Sequence, residues 1–297
     1  MAAGGAASPP TEAMRRGISR GVFVATVVLV AIIALAAGLY VGKTVLASSS
    51  SSSSSHYFVV GTNVPFPPFE TFNNTTGTYV GFDMNFSQLI ANALHRQLVI
   101  DNYANFAVLL ADVGAGVVDM AASAITESGT VGAARNATMS FSSPYYDANQ
   151  AILVPSGSSI TCPSVAAGGC GVAQLAGLTI GVQTGTSSQS WCQQYLIGNE
   201  TKGGSVLPFT TVDLEIDALL TKSLQAVMID LGPATSIAAG SGGLLKVAGE
   251  VLTNELYGFA VAHGDPEHIL PVINSVISQA MQNGTYAYLV KEWFGSS

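Results

Sequence analysis

Few residues in this chain could grip a charged small molecule, and their scarcity narrows the chemistry. Beyond residue 55 there are two arginines, Arg96 and Arg135. A guanidinium presents two parallel N–H donors to a carboxylate, which lysine cannot do. Arg96 closes the segment LIANALHR, where a cation meets a helix C-terminus favourably, a structural use. That leaves Arg135 as the better candidate for holding an anionic group. Asp230 directly follows the apolar run AVMI. Ligand groups collect at strand ends in open α/β sheets, although Asp230 could equally cap the LGPATSIAA segment, and both roles could coexist. The four histidines, His56, His95, His263 and His268, form no HxxxH or HExxH pattern, so neither a metal nor a cofactor is expected. Glu70 and Glu127 could serve as acid or base, but no His or Lys stands near them in sequence.

Composition removes other classes. Apolar residues make up 48% of the 297 and charged residues 9%, so the chain can bury a large core and is not disordered. Ten Lys+Arg against 18 Asp+Glu give a net charge of −8, which argues against nucleic acid, a partner that needs a basic face. Cys162 and Cys170 bracket the Gly/Ala-rich loop CPSVAAGGC, which an oxidising compartment could staple, with Cys192 left over. So few charges also limit self-repulsion when carboxylates protonate, which suits work in an acidic medium.

The elements that must position these residues alternate between strand-like and helix-like patterns, as in an α/β domain. Strands are expected at Tyr57–Gly61, Leu98–Asn102, Val117–Ala121, Leu178–Gln183 and Ala226–Asp230. Helices are expected over DMNFSQLIANALHR with Asp83 as N-cap, over Phe106–Gly114, over TGTSSQSWCQQYL, and near the end with Asp265 as cap. The βα units fall into two groups, joined by two extended apolar stretches, Gln150–Val154 and Tyr257–Ala262. Two lobes with a double crossover would leave a cleft between them, a preferred place for a small ligand. The expected division is 57–149 with 257–297 for one lobe and 150–256 for the other.

The N-terminus speaks of place. Residues 21–42 are 22 residues without a charge, long enough to cross a bilayer as a helix. Arg15, Arg16 and Arg20 precede them, which puts residues 1–20 in the cytoplasm and the rest outside, on a single-pass anchor. The alternative is a signal peptide cut near Ala47. Ser48–Ser55 is an unbroken serine run within a linker spanning 43–56, read as a flexible tether. N-x-[ST] sequons at Asn73, Asn74, Asn85, Asn136, Asn199 and Asn283 give mild support for an external location.

Several segments in order and spacing resemble one family. GTNVPFPPFE (61–70), VGFDMNFSQLIANAL (80–94), SFSSPYYDANQAI (140–152), GVQTGTSS (181–188), YGFAVAHGDPE (257–267) and NGTYAYLVKEWFG (283–295) are similar to the family 3 extracellular solute-binding proteins, the amino-acid receptors of ABC importers. The resemblance implies a type II periplasmic-binding fold, two lobes with two hinge strands, closing around one amino acid. It implies a monomer that hands its ligand to an ABC-type permease. By the same resemblance, Asn63 stands where an acidic residue often meets a basic side chain, Phe66 and Phe106 wall the ligand, and Ser123 and Thr126 meet its α-amino group. Thr186 and Ser187 belong to the turn that holds the α-carboxylate with Arg135, and Asp230 pairs with the α-ammonium. The turn opens a helix, whose N–H groups favour an anion.

One departure stands out. The family's arginine sits five residues after the threonine of this loop, whereas Arg135 lies nine after Thr126, which reads as a four-residue insertion within ESGTVG. With Asn63 in place of a carboxylate, a neutral or polar ligand is expected over Lys or Arg. No catalytic residue is expected. Two other readings exist: a cleft enzyme resembling dehydratases of cyclic acids, and a ligand sensor acting through a partner.

Overall fold

The computed structural model describes residues 56–197 and 204–295, so the expected anchor, tether and Asn199 sequon lie outside the described residues. Among the described residues, no helix is long and apolar enough to cross a membrane.

The first run of elements is β1 (Tyr57–Thr62), β2 (Thr71–Asn73), β3 (Thr78–Val80), α1 (Phe82–Ala93), β4 (Gln97–Asn102), α2 (Phe106–Gly114), β5 (Met120–Ala121), α3 (Gly129–Arg135) and β6 (Met139–Phe141). There follow β7 (Tyr146–Pro155), α4 (Val172–Leu175), β8 (Thr179–Gln183), α5 (Ser187–Cys192), β9 (Ser205–Phe209), α6 (Val212–Leu220), β10 (Ala226–Asp230), α7 (Leu231–Gly240) and β11 (Leu245–Tyr257). The chain then returns through β12 (Ala260–Ala262) to α8 (Leu270–Asn283) and α9 (Thr285–Phe294).

These strands build two five-stranded sheets, ordered β4-β1-β5-β12-β6 and β11-β7-β10-β8-β9. In the first, β4, β1 and β5 run parallel and β12 is antiparallel to β5 and β6. In the second, β10, β8 and β9 run parallel, while β7 is antiparallel to β10 and β11. The chain therefore passes between sheets twice, from β6 to β7 and from β11 to β12. Aromatic rings pack these crossings: Tyr145 stacks on Phe259 with centroids 4.2 Å apart, and Tyr146 on Tyr257 at 5.7 Å. The core continues beneath through Phe58, Val60, Phe82, Phe86 and Ile90, all fully buried, and the α8 stripe Ile273, Ile277 and Ala280 docks on it. A stripe at spacings of three and four faces one way on a helix, which is why this late segment folds back onto the first lobe.

Several boundaries differ from the sequence reading: the helix expected over TGTSSQSWCQQYL is α5 only over Ser187–Cys192, the extended stretch Tyr257–Ala262 is divided between β11 and β12, and three more bear on packing. Helix α1 starts at Phe82 with Gly81 as its cap, so Asp83 lies inside the helix. Gly81 has φ 144°, and a Cβ there would meet the Phe69 carbonyl at 2.1 Å. This close approach sets the entry angle and turns Asp83 inward, where its carboxylate accepts from Ala124 N–H and Tyr145 OH, both at 2.9 Å. Helix α8 starts at Leu270, five residues after Asp265, whose carboxylate still accepts from the Ile269 and Leu270 amides across one turn. Strand β5 is confined to Met120–Ala121; at the preceding Asp119 the carboxylate accepts from the Val59 N–H while the Asp119 N–H donates to the Val59 carbonyl.

Cys162 and Cys170 are joined in a disulfide with Cα atoms 4.7 Å apart. Their amides donate to the Ala248 and Glu250 carbonyls, so the staple holds the β7–α4 connection against β11. Cys192 is free and buried, and burial pushes its thiol up to about 12. Arg96 pairs with Glu267 at 2.8 Å, outside the cleft, a structural use.

Candidate functional site

Arg135 reaches the cleft through the loop that follows Thr126. After Thr126 the chain hydrogen-bonds along β11, with Glu127 N–H to the Leu256 carbonyl and Leu256 N–H to Ser128 Oγ. It then turns through Gly129, at φ 64°, into α3. Gly132 lies so close beneath that a Cβ would meet the Glu127 carbonyl at 1.9 Å, so the tight fold-back requires glycine. Residues 129–135 thus form a short helix that ends on Arg135 and returns it over Thr126. Its guanidinium donates to the Thr126 carbonyl at 2.8 Å and, across the cleft, to the Gly185 carbonyl at 3.0 Å. It also lies 5.5 Å over the Phe106 ring. Arg135 is 8% exposed, and burial lowers it to about 10, which leaves it charged at neutral pH.

Facing it from the second lobe, Asp230 ends β10 and occupies the N-cap position of α7 without bonding an amide of that helix through its side chain. Its carboxylate instead accepts from Tyr257 OH and from Gln150 Nε2. Burial and the neighbouring Glu255 carboxylate push Asp230 up to about 7. The turn before α5 is capped by Thr186, whose hydroxyl accepts from Gln189 N–H at 3.2 Å, so Ser187 opens the helix at the cleft wall.

The nine residues singled out in the sequence, Asn63, Phe66, Phe106, Ser123, Thr126, Arg135, Thr186, Ser187 and Asp230, all border one void between the lobes, with Ala124 and Gln183. The void measures ≈ 20 Å³. That is room for about one water, so the conformation is closed. Asn63 donates through its amide to the Tyr103 carbonyl and accepts from Gln183 Nε2, both at 2.7 Å. Its backbone N–H donates to Ser123 Oγ, which in turn donates to Glu70 at 2.7 Å. Glu70 and Glu127, the acids of the enzyme reading, do not border the void. Glu70 is fully buried, and burial with the Asp83 charge raises it well above the usual carboxylate range.

Three contributors escaped the sequence reading. Gln183 lies inside GVQTGT and would have been found had the strand's inward face been followed to its end. Gln150 and Glu255 come from the two long strands β7 and β11. Gln150 Nε2 reaches Asp230 at 2.9 Å, Glu255 at 3.0 Å and Ser187 Oγ at 3.2 Å, while Ser188 fixes its carbonyl end at 2.6 Å. Glu255 also accepts from Thr126 Oγ1 at 2.6 Å. Among the described residues, no group of three or more His, Cys, Asp or Glu could hold a metal ion.

Comparison with known proteins points the same way. Residues 58–296 match the bacterial extracellular solute-binding proteins, family 3. A probable histidine-binding protein of Neisseria gonorrhoeae is 25% identical over 238 residues, 79% of this chain and 82% of that protein. An ancestral arginine-binding protein bound to glutamine superposes with TM-score 0.70 at 26% identity, covering 81% of this chain and 99% of that one. The substrate-binding protein of an amino-acid ABC transporter does so with TM-score 0.69 at 27% identity, covering 81% and 100%. The two sheets with a double crossing are thus the two-lobed periplasmic-binding fold, and the relatives are binding proteins rather than enzymes. This chain belongs to the family 3 bacterial extracellular solute-binding proteins.

Proposed function

We propose that the protein captures an amino acid with an uncharged side chain in the interlobe cleft and delivers it to an ABC importer. The observation that carries this reading is the opposition of one guanidinium, Arg135, to one carboxylate, Asp230, across a single void. A buried zwitterion loses most of its hydration, so each of its charges needs a fixed partner. Arg135, with Thr186 and Ser187 at the start of α5, would take the α-carboxylate. Asp230, Ser123 and Thr126 would take the α-ammonium. Phe66 and Phe106 would flank the side chain, and its tip would meet the Asn63–Gln183 amide pair. Both amides are neutral and already bonded to each other, which favours an uncharged or polar side chain.

Entry requires the lobes to part. The Asn63–Gln183, Arg135–Gly185 and Thr126–Ser187 contacts all cross the cleft, and the ligand would replace them as it closes the lobes again. We take residues 57–149 with 257–297 and 150–256 as the two moving bodies. The apolar segment 21–42 would hold this monomeric receptor on the outer face of the membrane, next to its permease. Calorimetry on the full chain, unfolded and refolded to strip bound ligand, tests the reading against the twenty amino acids. Tight binding of one or a few neutral amino acids is expected; tight binding confined to lysine and arginine would contradict it.

A further inference from the structure

The cleft does not end at the void described above. Beyond Thr126 and Ser187 lies a second void of ≈ 270 Å³, bounded by α3, by Trp191 and Tyr195, and by the β11 residues up to Glu255. Thr126 from one lobe and Ser187 from the other border both voids, with their hydroxyls 3.4 Å apart. Parting of the lobes would separate these two side chains and join the voids into one channel.

The charges along that channel are unequal. A free amino acid would use Arg135 for its carboxylate and Asp230 for its ammonium; Glu255, whose charge supports that of Arg135, would then meet no charged group of the ligand. Glu255 is 6% exposed and borders the second void. One amide, Gln150 Nε2, bonds both Asp230 and Glu255, so the two carboxylates are neighbours across a single donor. Moving an ammonium from Asp230 to Glu255 is therefore a displacement of about one residue, ~3.8 Å along a peptide. Trp191 and Tyr195, with ring centroids 5.1 Å apart, supply a face for an apolar side chain beyond it.

We propose that the second void is a subsite for an aminoacyl extension. In the resulting dipeptide complex the C-terminal residue sits in the first void. Its carboxylate lies on Arg135, its peptide N–H points to Asp230, the N-terminal ammonium lies on Glu255, and the N-terminal side chain lies against Trp191. This rests on the amino-acid reading above, which assigns the first void to the C-terminal residue.

The test is calorimetry on the refolded full chain with the twenty amino acids and their alanyl dipeptides, then the N-acetyl derivative of the best binder. The alanyl and acetyl forms have the same peptide N–H and differ chiefly in the terminal ammonium. The alanyl form is expected to bind at least about tenfold tighter, the worth of one charge-assisted hydrogen bond. Glu255→Gln is expected to bring that ratio near one, and Trp191→Ala to weaken dipeptides more than free amino acids. Equal binding of alanyl and acetyl forms, or loss of both while the free amino acid binds, overturns the subsite and leaves the amino-acid reading intact. Absence of binding by every amino acid and every dipeptide overturns both. The first comparison uses the unaltered protein, so a variant that does not fold cannot obscure it.

Discussion

Acidification should stabilise this protein, and the size of the effect follows from two buried carboxyls. Asp83 and Asp230 are each pushed from 3.8 to about 7, chiefly by burial. A raised folded-state value means that each group takes up a proton on folding. The stabilisation is fully present below about pH 4, declines as the pH rises from 4 to 7, and is gone above 7. From pH 7.5 to pH 5 each group contributes on the order of 2–3 kcal/mol, so the pair contributes about 5 kcal/mol. Glu70 and Glu215 are raised for the same reason, burial, and act in the same direction. For a domain of this size 1 kcal/mol is worth about 2–4 °C in Tm, so the melting point should rise by 10 °C or more, on that order. Urea unfolding of the ligand-free full chain at pH 7.5, 6 and 5 measures this directly, and Asp83→Asn should make the pH dependence shallower. Stability that is flat or falling between pH 7.5 and 5 would refute the reasoning, together with the idea of a protein suited to an acidic medium.

Three further outcomes are expected. Because an α-ammonium and a proton compete for Asp230, ligand affinity should fall as the pH drops below 7, by up to about tenfold per unit. Calorimetry in buffers of different ionisation enthalpy at pH 6 should show proton release, and no release would argue against Asp230 as the ammonium partner. Gly185 has φ 84°, and a Cβ there would lie 3.1 Å from Ala107 Cβ of the opposite lobe. Gly185→Ala should therefore strain the closed state through Ala107 and weaken ligand binding about fivefold or more, and its positive φ should also lower unfolding stability by about 1 kcal/mol. Asn63→Asp should raise the preference for lysine and arginine over neutral amino acids in a competition assay; an unchanged ratio would remove position 63 from the specificity argument.

Much of this was legible in the sequence because it is local. The run FAVLLADVG folds as a helix over Phe106–Gly114, and AVMID as a strand over Ala226–Asp230, with the ends read from pattern alone. Arg135 and Asp230 were reached from residue chemistry, the other site residues from the family resemblance, and the structure gathers them around one void. What was not legible depends on distant pairings. Glu255 meets Gln150 only because β11 pairs with β7 through register shifts, between Val247 and Gly249 and between Val251 and Glu255. No pattern within either strand shows where those irregularities fall. Asp83 looked like a cap because an acid before an apolar stripe usually is one. Its real place follows from Gly81 meeting the Phe69 backbone, a contact between segments that no periodicity encodes. The long spacing from Thr126 to Arg135 was visible as a count of residues, but the folding of that loop into α3 rests on Gly132 lying against Glu127.

The central claim is that Arg135 holds the α-carboxylate of an amino acid. Its most direct test is a two-by-two comparison in the refolded full chain: the best-binding amino acid and its α-amide, each against the unaltered protein and Arg135→Ala. Leaving one member of a buried charged pair without its partner typically costs about 2–5 kcal/mol. Amidation should therefore weaken binding to the unaltered protein by about thirtyfold or more, and by less than about tenfold in Arg135→Ala, since the partner is already gone. If amidation weakens binding equally in both proteins, or not at all, the carboxylate is held elsewhere and the assignment of the cleft is wrong.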